Sequence, residues 1–236
     1  MQTELFDFGL EGRIIAIRDR LSAAFGECEY GTSREPMGAL IKSIISSRTR
    51  DEVSLRAYNN LRRLYPNWGE MGLATEAEIE SAIAEVTFAE VKARQVLRTL
   101  QAIALRRPDF DLSFLADEPI ESALAWLKSL HGAGPKVAAA TMNFSTLERR
   151  AFVMDTHVLR VFRRMGLVGR KTADQKAYDL VMAALENWTS AQLSDLHVLV
   201  KHLGQTVCRY DVTNCRHCPV CGQCEKALGR QPVVAA

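Results

Sequence analysis

Cys208, Cys215, Cys218 and Cys224 follow the spacing C-x6-C-x2-C-x5-C near the end of a 236-residue chain. Thiolates are soft ligands, and four together select zinc or an iron–sulfur cluster over harder ions. A structural zinc site pairs two tight knuckles across a longer spacer. Here the four thiols crowd into one stretch, which favours a cuboidal cluster wrapped by a single loop, with zinc as the alternative. Five of the chain's six cysteines lie in this segment, which argues against chance proximity. Cys221 is the fifth, and it opens a second register, Cys218-x2-Cys221-x2-Cys224. Alone, such a centre suggests an electron carrier.

A second group of residues points to different chemistry. Trp126 to Ala140 reads WLKSLHGAGPKVAAA. One helix is expected to end near Leu130. Gly132 and Gly134 permit a tight turn with positive φ, and Pro135 suits the first position of a following helix. A helix, Gly-x-Gly hairpin, helix unit brings free backbone N–H groups close to a phosphate; the bland alternative is a simple corner between helices. Lys136 falls in the first turn of the second helix. The positive helix end disfavours an ammonium there and favours the free amine. A free amine is a nucleophile towards a sugar C1′ or a carbonyl, leading to a Schiff base, whereas the bland alternative is an exposed lysine beside a turn.

A third group is FVMDTHVLR, Phe152 to Arg160. An apolar run leads into Asp155, which is placed to cap the helix that follows. A carboxylate at that helix mouth also suits a base, or a stabiliser of a cationic sugar transition state. His157 either reaches a phosphate or packs on the cap.

The elements that must hold these groups read as helices almost throughout. Ile14, Ile17, Leu21 and Phe25 recur at helical spacing, as do Val53, Ala57, Leu61 and Leu64 behind an expected N-cap at Asp51. Thr75-x-x-Glu78, Thr172-x-x-Gln175 and Thr189-x-x-Gln192 match capping boxes. Val91 to Leu105 and Ile120 to Leu130 are further amphipathic stretches, with a loop expected from Arg106 to Pro119. Alternating β-branched runs between tight turns are missing. The expectation is an all-α fold of about ten helices.

Composition sets wider bounds. A hydrophobic fraction of 47% and a charged fraction of 25% are those of a soluble globular protein. No apolar run is long enough to span a bilayer, so no membrane partner is expected. The acidic start (Glu4, Asp7) is not a secretory signal, and Gln231 to Ala236 are expected to fray. Clustered thiols then point to a reducing compartment and to metal rather than disulfides. A net charge of +2 does not announce a nucleic-acid protein. From Arg149 to Lys171, however, seven basic residues face one acid, Asp155. Such a run suits phosphates, or is a solvated helix face.

Together, LHGAGPK with Lys136, MDTH with Asp155 and the C-x6-C-x2-C-x5-C segment, in that order, resemble the endonuclease III family of helix-hairpin-helix DNA glycosylases. The resemblance covers nearly the whole chain. It implies a six-helix barrel domain over 36–148 that carries the hairpin. It also implies a discontinuous second helical domain, 1–35 with 149–236, holding a [4Fe–4S] cluster on Cys208, Cys215, Cys218 and Cys224, with Cys221 outside the ligand set. It makes Lys136 and Asp155 the catalytic pair of a bifunctional glycosylase and AP lyase on oxidised pyrimidines. A damaged nucleotide would be flipped from the duplex between the domains. Arg48 and Phe88 would fill the gap, and Gly132, Gly134, His157 and Arg160 would contact DNA.

The expected partner is double-stranded DNA with damaged pyrimidines or abasic sites. The protein is expected to act as a cytoplasmic, nucleoid-associated monomer. Arg48 stands where many members have glutamine, Phe88 where the best-known type has leucine, and His131 where proline is frequent. A mismatch or adenine glycosylase is one alternative, although those relatives generally lack the hairpin lysine. A catalytically quiet paralogue that binds DNA structure is another.

Overall fold

The computed structural model describes residues 9–26 and 34–229; the acidic start and the terminal Gln231–Ala236 lie outside them. Among the described residues eleven α-helices run in order: α1 (Leu10–Phe25), α2 (Pro36–Ser46), α3 (Asp51–Leu64), α4 (Trp68–Leu73), α5 (Glu76–Ala82), α6 (Ala89–Arg106), α7 (Ile120–Lys128), α8 (Pro135–Asn143), α9 (Thr156–Met165), α10 (Asp174–Ala184) and α11 (Ser190–Thr206). Among the described residues the only β pairing is two isolated bridges, Arg34 with Ser145 and Cys208 with Thr213. The chain is all-α, as its periodicity implies. It divides into two compact units, Thr32–Ala151 and Met1–Gly31 with Phe152–Ala236.

In the Thr32–Ala151 unit α2 is central. Met37, Leu40, Ile41, Ile44 and Ile45 are buried around its circumference, the pattern of a helix with neighbours on every side. It packs against α3, α6 and α8. In α8 the run Ala138–Ala140 is fully buried, and these small side chains let its backbone approach α2. Its described residues form seven α-helices, of which α4 and α5 are short pieces of six and seven residues.

The other unit builds a core from Ile14, Ile17 and Leu21 of α1, Phe152, Phe162 of α9, and Leu196, Leu199 and Leu203 of α11. Arg13 ties α1 to the end of α9 by donating to the Met165 and Gly166 carbonyls, both at 3.0 Å.

Several local expectations hold and several do not. The Thr75–Glu78 and Thr189–Gln192 capping boxes form with both reciprocal bonds. The Thr172–Gln175 box does not. Arg163 takes the Thr172 carbonyl at 2.6 Å and the Asp174 carboxylate at 2.8 Å, and α10 opens behind Ala173. Asp51 is the first residue of α3 rather than its cap. The buried stripe of that helix is Ser54, Ala57, Tyr58 and Leu61, with Leu64 exposed. Ser54 tolerates burial because its hydroxyl donates to the Asp51 carbonyl and accepts from Lys42 Nζ. The Arg106–Pro119 connection contains one short 3₁₀ turn, Ser113–Ala116.

Candidate active site

The hairpin lies between α7 and α8. Gly132 has φ of +84°, and a Cβ there would fall 2.8 Å from Gln95 Cβ. Both the backbone angle and the space demand glycine. Gly134 differs from expectation. Its φ is −70° and ψ 179°, an extended N-cap, and a Cβ there would meet nothing within 4 Å. Pro135 occupies the first turn as its fixed φ requires, and Lys136 follows it on the first turn of α8. Lys136 is half-buried, and its Nζ donates to Ser46 Oγ at 3.3 Å. Ser46 Oγ in turn donates to the Ser43 carbonyl at 3.0 Å, so its lone pairs are left for the amine.

Beside Lys136 sits a lysine the sequence did not single out. Lys92 of α6 is buried. Its Nζ donates to the Ile45 carbonyl at 2.8 Å, the Ser47 carbonyl at 2.6 Å and Thr49 Oγ1 at 2.8 Å. Burial, and then the charge of Lys136, push its pKa down to about 8. The available signal was its position: Lys92 falls on the apolar stripe Ala93, Val96, Leu97, Leu100, Ile103. Arg48 and Phe88, separated by forty residues of sequence, are brought together, with the guanidinium carbon 6.0 Å from the ring centroid. Arg48 is exposed, and Phe88 is 58% exposed.

In the other unit Asp155 is the N-cap of α9, accepting from the backbone N–H of His157 at 2.8 Å and of Val158 at 2.9 Å. Burial alone would raise its pKa. The His197 charge, the Val158 N–H, Lys201 and His157 outweigh it, and the carboxyl is held below its ordinary value. Asp155 is therefore ionised at neutral pH. His197 is buried on α11, its Nδ1 2.5 Å from the Val153 carbonyl oxygen. A carbonyl only accepts, so that nitrogen carries the proton. His157 Nδ1 lies 3.1 Å from Arg160 Nη2.

Arg160 also donates to the Gly204 carbonyl at 2.7 Å and the Cys208 carbonyl at 3.2 Å. Arg164 reaches the carbonyls of Cys208, Arg209 and Tyr210. Arg149 donates to those of Leu115, Ala116 and Glu118 within its own unit. With Arg163, four of the seven basic residues in the run hold backbone carbonyls. The run is thus neither a plain phosphate patch nor a plain solvated face.

The five C-terminal cysteines are free thiols, with Cys224 buried and the others half-buried. Burial pushes the Cys218 thiol up to about 11; the Val220 N–H opposes this, and Cys208, Cys224 and Cys221 add to it. Cys224 is raised by burial too, and further by Cys208 and Cys215. Sulfurs that influence one another in this way repel as thiolates, and a cationic core relieves that repulsion. Arg164 Nη1 lies 3.3 Å from Cys208 Sγ, and Cys224 Sγ 3.4 Å from the Arg164 carbonyl. Among the described residues no three His, Cys, Asp or Glu side chains close on a single metal ion. Four soft thiolate donors within one short segment are consistent with an iron–sulfur cluster.

A helical chain with a Gly-x-Gly hairpin, a lysine in the first turn behind it and clustered C-terminal thiols is of the helix-hairpin-helix type. Residues 41–203 match the family model described as HhH-GPD superfamily base excision DNA repair protein, and the chain belongs to that superfamily. It is 27% identical over 199 residues to endonuclease III homolog 2, chloroplastic, of Arabidopsis thaliana, covering 82% of this chain and 49% of that protein. An endonuclease III homolog of Encephalitozoon cuniculi is 25% identical over 195 residues, covering 80% of this chain and 78% of that one.

The chain thus spans about half the length of the plant relative. Among solved structures, a trapped endonuclease III–DNA covalent intermediate matches with a TM-score of 0.77 at 20% identity, covering 97% of this chain and 99% of that one. That likeness is one of fold. The resemblance to endonuclease III read from the sequence holds. Among the described residues no helix is long and apolar enough to cross a membrane.

Proposed function

We propose that the chain is a bifunctional DNA glycosylase and AP lyase of base excision repair, acting on oxidised pyrimidines in double-stranded DNA. The observation that carries this is Lys136 in the first turn of α8, directly behind the Gly132 turn. Its amine attacks C1′ of the damaged nucleotide; the C1′–N bond breaks and the base departs with the electron pair and takes up a proton. The nitrogen, having given up a proton, then opens the sugar ring: the C1′–O4′ bond breaks, O4′ leaves with its electron pair and is protonated, and nitrogen and C1′ form the iminium of a Schiff base. Loss of a proton from C2′ breaks the C3′–O bond, and the strand is nicked on the 3′ side.

Asp155, ionised at neutral pH by the charges around it, stabilises the cationic character of the sugar as the base leaves. Arg48 and Phe88 fill the space the nucleotide vacates, and Gly132, Gly134, His157 and Arg160 lie along the DNA. Cys208, Cys215, Cys218 and Cys224 hold a [4Fe–4S] cluster, with Cys221 outside it. When bound, the cluster supplies a cross-link among four thiolates, since base displacement and β-elimination transfer no electrons. Thiols clustered as metal ligands fit a reducing compartment, and the cytoplasmic, nucleoid-associated monomer belongs to the same proposal.

The test is a duplex containing thymine glycol, treated with the protein and borohydride. A covalent protein–DNA adduct is expected and should vanish in Lys136→Ala. No adduct across a panel of oxidised pyrimidines and an abasic site would overturn the assignment.

A further inference from the structure

Arg48 and Phe88 share an unusual backbone. Both are non-glycine residues in the left-handed region, with φ of 54° and 59°. Such positions persist only when the surroundings over-determine them. The surroundings here are a small saturated network. All three protons of the Lys92 ammonium are used, on the Ile45 and Ser47 carbonyls and on Thr49 Oγ1. Thr49 Oγ1 also accepts from the Thr87 backbone N–H at 3.1 Å. Its two lone pairs are thereby occupied, one by the side chain of α6 and one by the segment leading into α6. Phe88 is next in the chain, and its carbonyl accepts the Lys92 backbone N–H at 3.1 Å. One lysine and one hydroxyl thus connect the end of α2, the residues on either side of Arg48, and the residue before Phe88.

We propose that Lys92 and Thr49 form a latch that holds Arg48 and Phe88 as one edge, making them positioning residues for entry into the duplex. This rests on the reading that Arg48 and Phe88 fill the vacated space. Without the latch the two strained residues relax independently, and the edge is presented only part of the time. Thr49 touches neither the lesion nor the reacting atoms, whereas Lys92 also neighbours Lys136, so the Thr49 variants isolate the latch. Its effect falls on extrusion of the nucleotide, a step a single-stranded substrate does not require.

Thr49→Val keeps the side-chain shape, removes the hydroxyl and leaves two donors without an acceptor; Thr49→Ser restores it. Lys92→Met removes the other half, and Lys92→Arg retains charge and donors. Each variant is mixed with a duplex carrying 2-aminopurine opposite a thymine glycol, and the fluorescence rise is read together with single-turnover base release. The same release is measured on single-stranded DNA. Thr49→Val is expected to lower the fluorescence rise and slow duplex release about ten-fold, as fits a buried donor left unpaired. Single-strand release stays within a factor of about two, and Thr49→Ser recovers the duplex rate.

Equal loss on both substrates in Thr49→Val marks a general folding defect and overturns the latch, as do wild-type fluorescence and rates in both Thr49→Val and Lys92→Met. If the wild-type protein forms no borohydride adduct, the catalytic assignment has failed separately. The fluorescence rise on an uncleavable abasic-analogue duplex then decides the latch alone.

Discussion

Replacing Asp155 by asparagine separates its two roles. The carboxylate accepts two backbone N–H groups, from His157 and Val158, at 2.8 and 2.9 Å. An asparagine Oδ1 accepts the same pair, and asparagine caps helices as well as aspartate does. Alanine cannot. Loss of the cap costs about 1 kcal/mol, and the two part-buried donors left unpaired bring the total to about 2 kcal/mol. At roughly 2–4 °C per kcal/mol for a chain of this length, Asp155→Ala should melt about 4–8 °C lower.

In Asp155→Asn the lost attraction to His197, Lys201 and His157 is partly offset by relief of burying a charge. Its melting point should stay within about 2 °C of wild type at neutral pH. The sign with pH follows from the depressed carboxyl. Its contribution to stability is complete above the ordinary aspartate range and is lost as pH falls through the folded value. The difference between wild type and Asp155→Asn should therefore change only in acid. Base release tells the other half. Without the negative charge, single-turnover excision should fall about a hundred-fold or more. Melting curves by circular dichroism and a quenched-flow release assay measure both. Excision within a few-fold of wild type in Asp155→Asn refutes the electrostatic role. Equal destabilisation by asparagine and alanine refutes the capping argument.

The two hairpin glycines should respond oppositely to alanine. Gly132→Ala meets Gln95 at 2.8 Å from a φ of +84° and should cost about 1–3 kcal/mol, read from the urea midpoint, with weaker duplex binding. Gly134→Ala meets open space at an extended φ and should leave both within error. For the thiols, iron and acid-labile sulfide per chain should drop sharply in Cys218→Ser and stay at about four each in Cys221→Ser. Loss of iron in Cys221→Ser would move the ligand set to the second register.

What could be read in advance was what acts over one or two residues. Asp155 caps its own helix, Pro135 sets its own φ, and Gly132 relieves its own turn. The Thr172 box shows the limit of local pattern, since Arg163, nine residues upstream, takes the carbonyl of Thr172 and dictates where α10 begins. Arg149, Arg160 and Arg164 lie beyond the reach of local pattern for the same reason. Their partners are carbonyls 31 to 48 residues away, and a carbonyl looks the same at every position in a sequence.

One trace of such contacts does survive in sequence: a lysine or histidine on the apolar stripe of a long helix, where an unsatisfied donor would be costly. Lys92 in α6 and His197 in α11 are both of this kind. Each also reaches backbone next to a candidate catalytic group. Lys92 fixes Ile45 and Ser47, on either side of the Ser46 that receives Lys136. His197 fixes Val153, two residues before Asp155. In each unit, then, a buried donor on a core helix sets the backbone beside the group assigned to chemistry. The charge of the same side chain also interacts with that group itself: Lys92 and Lys136 are neighbouring cations, and His197 is the leading attraction that holds Asp155 ionised.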